Sequence, residues 1–506
     1  MIFRAACHSE GPSALLRINS ARRICFSLTL ATTLLAGCAV GPDYVLPDAA
    51  VPAAYKEAGE WKVAQPRDGA SRGKWWEVFG DPQLNALIEQ VEISNQNVLA
   101  ADAQFRQARA FVAASRAALF PTLGGSVSVT RSRSSAGAVG GTTAGRIITN
   151  RGASLDAGWE ADVWGQFRRA VEASEAGAQA SSADLAAARL SAQGEVASNY
   201  FLLRTLDAQR QLLDDTAAAF QKQFELTKNR YDAGVAAKVD VVQAQTQLRS
   251  TQADAIDLGV QRAQLEHAIA VLVGRPPAEL SIARAPLAVS MPAIPPGMPS
   301  ELLERRPDVA AAERRVAAAN AQIGVAKAAY FPSLTISASG GYRSADPSQW
   351  FTAPSRFWAI GPAIAQSLFD ASLRRAQTEQ AIAGYDATVA EYRQTVLAGF
   401  REVEDSLASL RILEEEARVQ QDAVLAARES VALTLNQYKA GTVSFLNVAV
   451  VQATQLNNER AAVGILGRRL VSAVSLVRAL GGGWSASELP DGELLRARTT
   501  PPASTR

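Results

Sequence analysis

Two long stretches of the chain carry mostly small or apolar residues at alternating steps of three and four. In the first they are Val196, Asn199, Leu203, Leu206, Arg210, Leu213, Ala217, Phe220, Phe224, Thr227 and Tyr231. In the second they are Val403, Ser406, Leu410, Leu413, Ala417, Gln420, Val424, Ala427, Val431, Thr434 and Tyr438. This rhythm describes a coiled-coil seam. No proline interrupts Arg168 to Asp232 or Leu373 to Lys439, so either stretch predicts one helix on the order of 100 Å long at 1.5 Å per residue. Gly177, Gly194, Gly384 and Gly399 mark expected irregularities within them.

Elsewhere the period is two. Leu155, Ala157, Trp159, Ala161 and Val163 alternate with Ser154, Asp156, Gly158, Glu160 and Asp162. Leu334, Ile336, Ala338 and Tyr342 alternate with Thr335, Ser337, Ser339 and Arg343, and similar alternation surrounds Val127, Val129, Trp358, Ile360 and Ile364. Segments of about ten residues with one apolar side fit transmembrane β-strands, and equally a two-sided soluble sheet. Four strands cannot close a membrane barrel, which needs at least about eight, and open edges are not tolerated in lipid. A membrane reading therefore requires identical subunits to share the barrel. A dimer gives eight strands and a trimer twelve; the pattern leaves both open.

The two kinds of pattern recur in order. "AALFPTLGGSVSV" from Ala117 and "AAYFPSLTISASG" from Ala328 match at a spacing of 211 residues, and "RYDAGVAAKVDVV" from Arg230 and "QYKAGTVSFLNVA" from Gln437 at 207. The chain is therefore a duplicated unit of helix, strand pair, very long helix, tip and returning helix. The predicted first repeat covers 81–275, with strands about 122–134 and 152–164 and a tip about 231–240. The second covers 301–483, with strands about 333–344 and 356–368 and a tip about 438–447. A Pro-rich connector fills 276–300, and a partly disordered tail is expected over 484–506.

The N-terminus moves the reading towards the membrane. Arg4, Arg17, Arg22 and Arg23 lead into an apolar run from Ile24 to Leu35 that ends in small residues, the layout of a secretory signal peptide. The run is too short for a spanning helix, which needs roughly 20 residues. Leu35-Ala36-Gly37-Cys38 resembles the bacterial lipobox, in which cleavage falls just before the cysteine and that cysteine is acylated. An ordinary signal peptide with an incidental cysteine is the plainer alternative. The expectation is a signal over 1–37, lipid on Cys38, and a lipid-anchored segment over 38–80; Ala39 in place of an aspartate favours the outer membrane.

Composition narrows the function. Cleavage would remove Cys7 and Cys25, leaving no free thiol and no disulfide. Losing four arginines and one glutamate takes the formal charge from +2 to −1, which gives no reason to expect nucleic acid. His267, Met291 and Met298 are all that would remain of histidine and methionine, so neither a metal centre nor a soft-metal path is indicated. No cofactor is expected beyond the covalent lipid. No Ser-His-acid set or phosphate loop supports an enzyme.

"KWWEVFGDPQLNALIEQ" from Lys74, "RRPDVAAAERRVAAANAQIGVAKAAYFPSL" from Arg305 and "RALGGGW" from Arg478 resemble the outer-membrane factors of bacterial efflux and secretion systems, in the lipoprotein branch of the TolC-like family. The resemblance runs from Cys38 to about Trp484. It implies an α+β membrane protein built as a homotrimeric tube, with four strands per protomer forming a shared 12-stranded β-barrel and long coiled-coil helices forming a trimeric α-barrel across the periplasm. It implies no catalysis. Small toxic organic molecules would enter from an inner-membrane RND-type pump, assisted by a periplasmic adaptor, and leave through the barrel.

By the same resemblance Gly234, Val235, Gly441 and Thr442 stand at helix-turn-helix tips that dock the adaptor, although a sharp helical reversal also calls for glycine locally. Many family members carry acidic residues where this chain has Asn447 and Val450; the first repeat keeps an acid at Asp240 opposite Asn447. Leu446, Asn447 and Val450 are accordingly expected to form an apolar periplasmic gate that closes by dewetting. Arg306-Pro307-Asp308 reads first as a helix start, and Trp75 and Trp76 as anchors of the N-terminal segment. A structural spacer lipoprotein without channel activity remains the competing reading, and type I protein secretion or metal efflux the competing roles within the family.

Overall fold

The computed structural model describes residues 39–58, 73–133, 135, 146–287, 291, 292, 294 and 298–496. The expected signal peptide, Cys38 and residues 497–506 of the expected tail lie outside them. Asp81 caps helix α1 (Pro82–Ser94) by accepting from Gln83 and Leu84 N–H, with Pro82 at the first position. Leu84, Leu87, Ile88 and Val91 form its buried stripe. There follow α2 (Gln96–Ala117), β1 (Thr122–Arg133), β2 (Ile147–Ala161), α3 (Gln166–Asp232) and α4 (Lys238–Leu272). The second set is α5 (Pro307–Ala328), β3 (Ser333–Ser344), β4 (Arg356–Ala365), α6 (Leu373–Lys439) and α7 (Phe445–Ala479), before the short α8 (Gly492–Arg496).

The duplication is near-identical in length. α2 and α5 have 22 residues each, β1 and β3 have 12, α3 and α6 have 67, and α4 and α7 have 35. The fall in offset from 211 to 207 is thus confined to the strand hairpins. The four glycines inside α3 and α6 do not break either helix. Two of them admit close packing instead: a Cβ on Gly399 would lie 3.3 Å from Arg306 Nε, and one on Gly194 would lie 3.1 Å from Arg478 Cδ. The predicted seam positions are buried or half-buried, except Tyr231 beside the tip, which is exposed.

Three strand ends differ from the sequence reading. β2 starts at Ile147, where Ile147–Arg151 pair with Val129–Arg133. It stops at Ala161, because Asp162 accepts from Phe167 and Arg168 N–H at the start of α3. β4 stops at Ala365 rather than 368, since Asp370 accepts from Ser372 and Arg374 N–H, and Ala371 and Ser372 take positive φ before α6.

Packing divides the chain into two compact units. One holds Ala110–Ala176, Val316–Ala387 and the described residues up to Val45. Its centre is an antiparallel meander in the order β1-β2-β3-β4. The register sorts the strands into two faces. Leu123, Val127, Leu155, Leu334, Ile336, Trp358, Ile360 and Ile364 share one; Ser126, Ser128, Ser154, Asp156, Glu160, Thr335 and Ser337 share the other. On the polar face the Ser126 and Ser154 hydroxyls lie 3.0 Å apart, and Ser154 Oγ donates to Asp156 at 2.8 Å. Residues 40–43 are strapped to the same unit. Val40 N–H donates to Trp164 O, Asn320 donates to Pro42 O, and Arg169 pairs with Asp43 at 3.0 Å. Gly41 permits this at φ +113, because a Cβ there would meet Gly324 Cα at 2.5 Å.

The other unit holds Leu46–Arg109, Gly177–Arg315 and the described residues from Thr388 onward. It contains the same joint twice. Asn95 caps α2 and donates from Nδ2 to Leu272 O, while Arg306 opens α5 and donates to Ala479 O. Gly274 and Gly481, both at positive φ, follow those carbonyls. A Cβ would fall 2.1 Å from Ser94 O at the first and 1.9 Å from Arg305 O at the second. Among the described residues no helix is long and apolar enough to cross a membrane.

Candidate functional site

The two long helices end alike. At the first tip Gly234 N–H donates to Tyr231 O and Val235 N–H to Arg230 O; at the second Gly441 N–H donates to Tyr438 O and Thr442 N–H to Gln437 O. Both are Schellman endings, with the glycine at φ +74. Open space surrounds both glycines, so φ alone demands them. Val235 is 67% exposed. Thr442 is exposed too, but its hydroxyl donates to Gln437 O at 3.0 Å and closes its own turn.

One small core joins the tips. Ala244, Tyr438, Phe445 and Val448 are buried together, with Phe224 and Leu435 packed on them. The Tyr438 and Phe445 rings meet edge-on at 5.6 Å, and the Arg230 guanidinium lies 5.0 Å from the Tyr438 ring centre. With Phe445 and Val448 turned inward, Leu446, Asn447 and Val450 fall together on the opposite face of α7. All three are exposed, Leu446 at 53% and Val450 at 57%. At the matching positions of α4, Val239 is exposed, while Asp240 and Gln243 are half-buried. The expected gate residues thus form one outward face on the first turns of α7.

Away from the tips, the structure assembles charge that no spacing announced. Asp207, its side chain 2% exposed, takes salt bridges from Arg204 at 2.9 Å and Arg262 at 2.7 Å. Arg204 also donates to Ala283 O, Arg262 to Ile282 O, and Ile282 N–H to Glu266. The connector is thereby tied to α3 and α4 by paired charges that also bond its main chain. Burial works against the Arg306 charge, yet its bonds to Asp308 and Glu402 more than offset it and hold its pKa above the ordinary value. Trp75 and Trp76 are buried, with Trp75 Nε1 donating to Gln193. Partners in sequence-distant helices decide these roles, which is why the local motif does not reveal them. His267 is exposed, and among the described residues no cluster of His, Cys, Asp and Glu could hold a metal.

The family model described as outer membrane efflux protein matches residues 87–275 and 298–482, the two structural repeats. The toluene efflux pump outer membrane protein TtgC of Pseudomonas putida is 30% identical over 461 residues, 90% of this chain and 95% of TtgC. The pyoverdine export outer membrane protein OpmQ of Pseudomonas aeruginosa is 30% identical over 469 residues, 91% of this chain and 97% of OpmQ. Among solved structures, the outer-membrane channel OprN superimposes with a TM-score of 0.82 at 32% identity, covering 88% of this chain and 100% of OprN. With both repeats matched and the channel fold reproduced, the chain belongs to the outer membrane efflux protein family.

Proposed function

We propose that this chain is the passive outer-membrane exit duct of a tripartite efflux system, working as a homotrimer and releasing small organic toxicants handed over by an inner-membrane RND-type pump and a periplasmic adaptor. The two-faced sheet with unpaired edges carries the reading. β1 and β4 are the outer strands of a four-stranded meander, and an open edge beside an apolar face is untenable in lipid. Three copies pairing β4 to β1 give twelve strands, an even number within the range of outer-membrane barrels. Leu334 to Ser344 rises about 34 Å along the strand, or about 26 Å along the membrane normal at a tilt of about 40°, close to the apolar height such barrels present. The serine-rich face then lines a wet lumen.

The remaining roles follow from this assembly. The helices of three chains build the periplasmic conduit, and Leu446, Asn447 and Val450 of each chain meet to close it. Gly234, Val235, Gly441 and Thr442 receive the adaptor. A covalent lipid on Cys38 holds the chain to the outer membrane; residues 40–43, which follow it in the sequence, are themselves tied to Trp164 and Arg169 at the start of α3. No cofactor takes part. One relative is named for toluene efflux and another for pyoverdine export; apolar organic compounds of the first kind are assigned as cargo here. Planar-bilayer conductance of the lipidated protein, with its mass in mild detergent taken on the same sample, tests the proposal. Discrete conducting steps from a three-chain particle support it, and a monomer that never conducts overturns it.

A further inference from the structure

The hairpin end of the sheet is strongly basic. Residues 131–151 contain Arg131, Arg133, Arg146 and Arg151 and no acid, and residues 343–356 contain Arg343 and Arg356 against Asp346 alone. The register divides these arginines between the faces. Val129 stands opposite Arg151, which stands opposite Ser344; Val127, Ala153, Tyr342 and Arg356 form the next row. Arg131, Arg133, Arg151 and Arg356 therefore share the face of Leu123, Val127, Leu155 and Ile360, whereas Arg343 lies on the serine face over the Phe357 ring at 4.9 Å. On the apolar face Tyr342 stands level with Arg356 and below the other three arginines, and Trp358 stands one row further down, as a girdle would. Arg131 and Arg151 are diagonal neighbours across β1 and β2, about 7–8 Å apart. Asp346 accepts from Ser348 N–H and Oγ, and Arg151 donates to Ala345 O at 3.0 Å.

The two hairpin segments together hold six arginines against the single acid Asp346, and the hydrocarbon below cannot solvate such a surplus of positive charge, so a lipid-facing rim built this way attracts anions. Guanidinium forks match phosphate oxygens in pairs. We infer that Arg131, Arg133, Arg151 and Arg356 form a binding surface for the phosphorylated sugar headgroup of an outer-leaflet glycolipid. This rests on the duct reading, which points the hairpins away from the cell. The spread of the arginines over several rows suits a headgroup with phosphates at two separated positions; a single phosphodiester reaches fewer of them.

Native mass spectrometry of the delipidated full chain in mild detergent, titrated with diphosphorylated lipid A, dephosphorylated lipid A and phosphatidylglycerol, tests the inference. The wild type should prefer the diphosphorylated lipid over the other two by about tenfold or more. The combined Arg131→Gln, Arg133→Gln, Arg151→Gln and Arg356→Gln variant should lose that preference, and Arg343→Gln should keep it. If the fourfold variant does not assemble, the pairs Arg131→Gln with Arg133→Gln and Arg151→Gln with Arg356→Gln should each lose part of it. Equal wild-type binding of the dephosphorylated lipid, equal binding of phosphatidylglycerol, or an unchanged fourfold variant would each overturn the site. Chain number and bilayer conductance on the same sample report on the duct separately: a wild type that neither trimerises nor conducts sinks the duct, while its lipid preference still decides the site.

Discussion

At the residue scale, two glycines that share a sign of φ have unequal standing. Gly441 at the tip has open space around it, so Gly441→Ala meets only the left-handed backbone penalty, about 1 kcal/mol. Gly481 has Arg305 O 1.9 Å from where a Cβ would stand, so Gly481→Ala adds a clash with main chain and should cost about 3 kcal/mol. Thermal unfolding of the two purified variants should rank them in that order, and equal midpoints would deny the close joint. Tyr200 makes a pH prediction. Burial first, and its hydrogen bond to Asp81 at 2.7 Å second, push its pKa up from 10.0 to about 12. The folded chain favours the protonated phenol, so this stability is fully present below about pH 10 and is lost as pH rises to about 12. Tyr200→Phe should lower the midpoint by about 1 kcal/mol equivalent at neutral pH and flatten its fall over that alkaline window; an unaltered slope would place the alkaline sensitivity elsewhere.

At the element scale, the returning helices start as matched pairs whose surface chemistry has diverged. Leu446 and Val450 stand exposed on α7, where the proposed apolar closure would use them, and Asn447 replaces the charge that Asp240 keeps in α4. If dewetting closes the duct, polar substitution should hold water in the constriction. Single-channel recordings should then show Leu446→Ser with Val450→Ser opening several-fold more often than wild type; identical open probability would remove both from the gate. Val235 and Thr442 sit at equivalent places of the two Schellman endings, one apolar and solvent-facing, the other with its hydroxyl committed to the turn. Val235→Asp should weaken adaptor capture by about tenfold, as loss of an apolar anchor does, with chain number unchanged by detergent mass measurement. Thr442→Val should affect the turn more than capture. Equal effects of the two on capture would contradict this division.

At the scale of the whole molecule, the prediction concerns what one chain leaves incomplete. Its sheet has two unpaired edges and its apolar face is bare, so the barrel proposed above would close through other copies of the chain. Cys38→Ala should abolish incorporation of labelled palmitate while the three-chain mass persists, since the barrel seam and not the lipid would hold the assembly together. Dissociation to single chains in that variant would give the lipid a part in assembly.

The sequence by itself determined the elements and their duplication. Steps of three and four from Val196 and Val403 can be satisfied only by a helix, and alternation around Leu334 or Leu155 only by a strand, because each geometry repeats at a single period. The same local logic placed Gly234 and Gly441 at reversals, and the long motifs carried the family. Only the tertiary structure decided where strands stop, which depended on Asp162 and Asp370 reaching forward to cap the next helix. It also decided that Arg306 serves the last carbonyl of a helix 173 residues away and that Asp207 gathers Arg204 and Arg262. Register alone sorted Arg131, Arg133, Arg151 and Arg356 from Arg343, since the face a side chain takes depends on its partner strand as well as on its own parity. Periodicity is local and can be read along one chain, whereas charge pairing and close backbone approach depend on which distant segments meet, and that is fixed by packing.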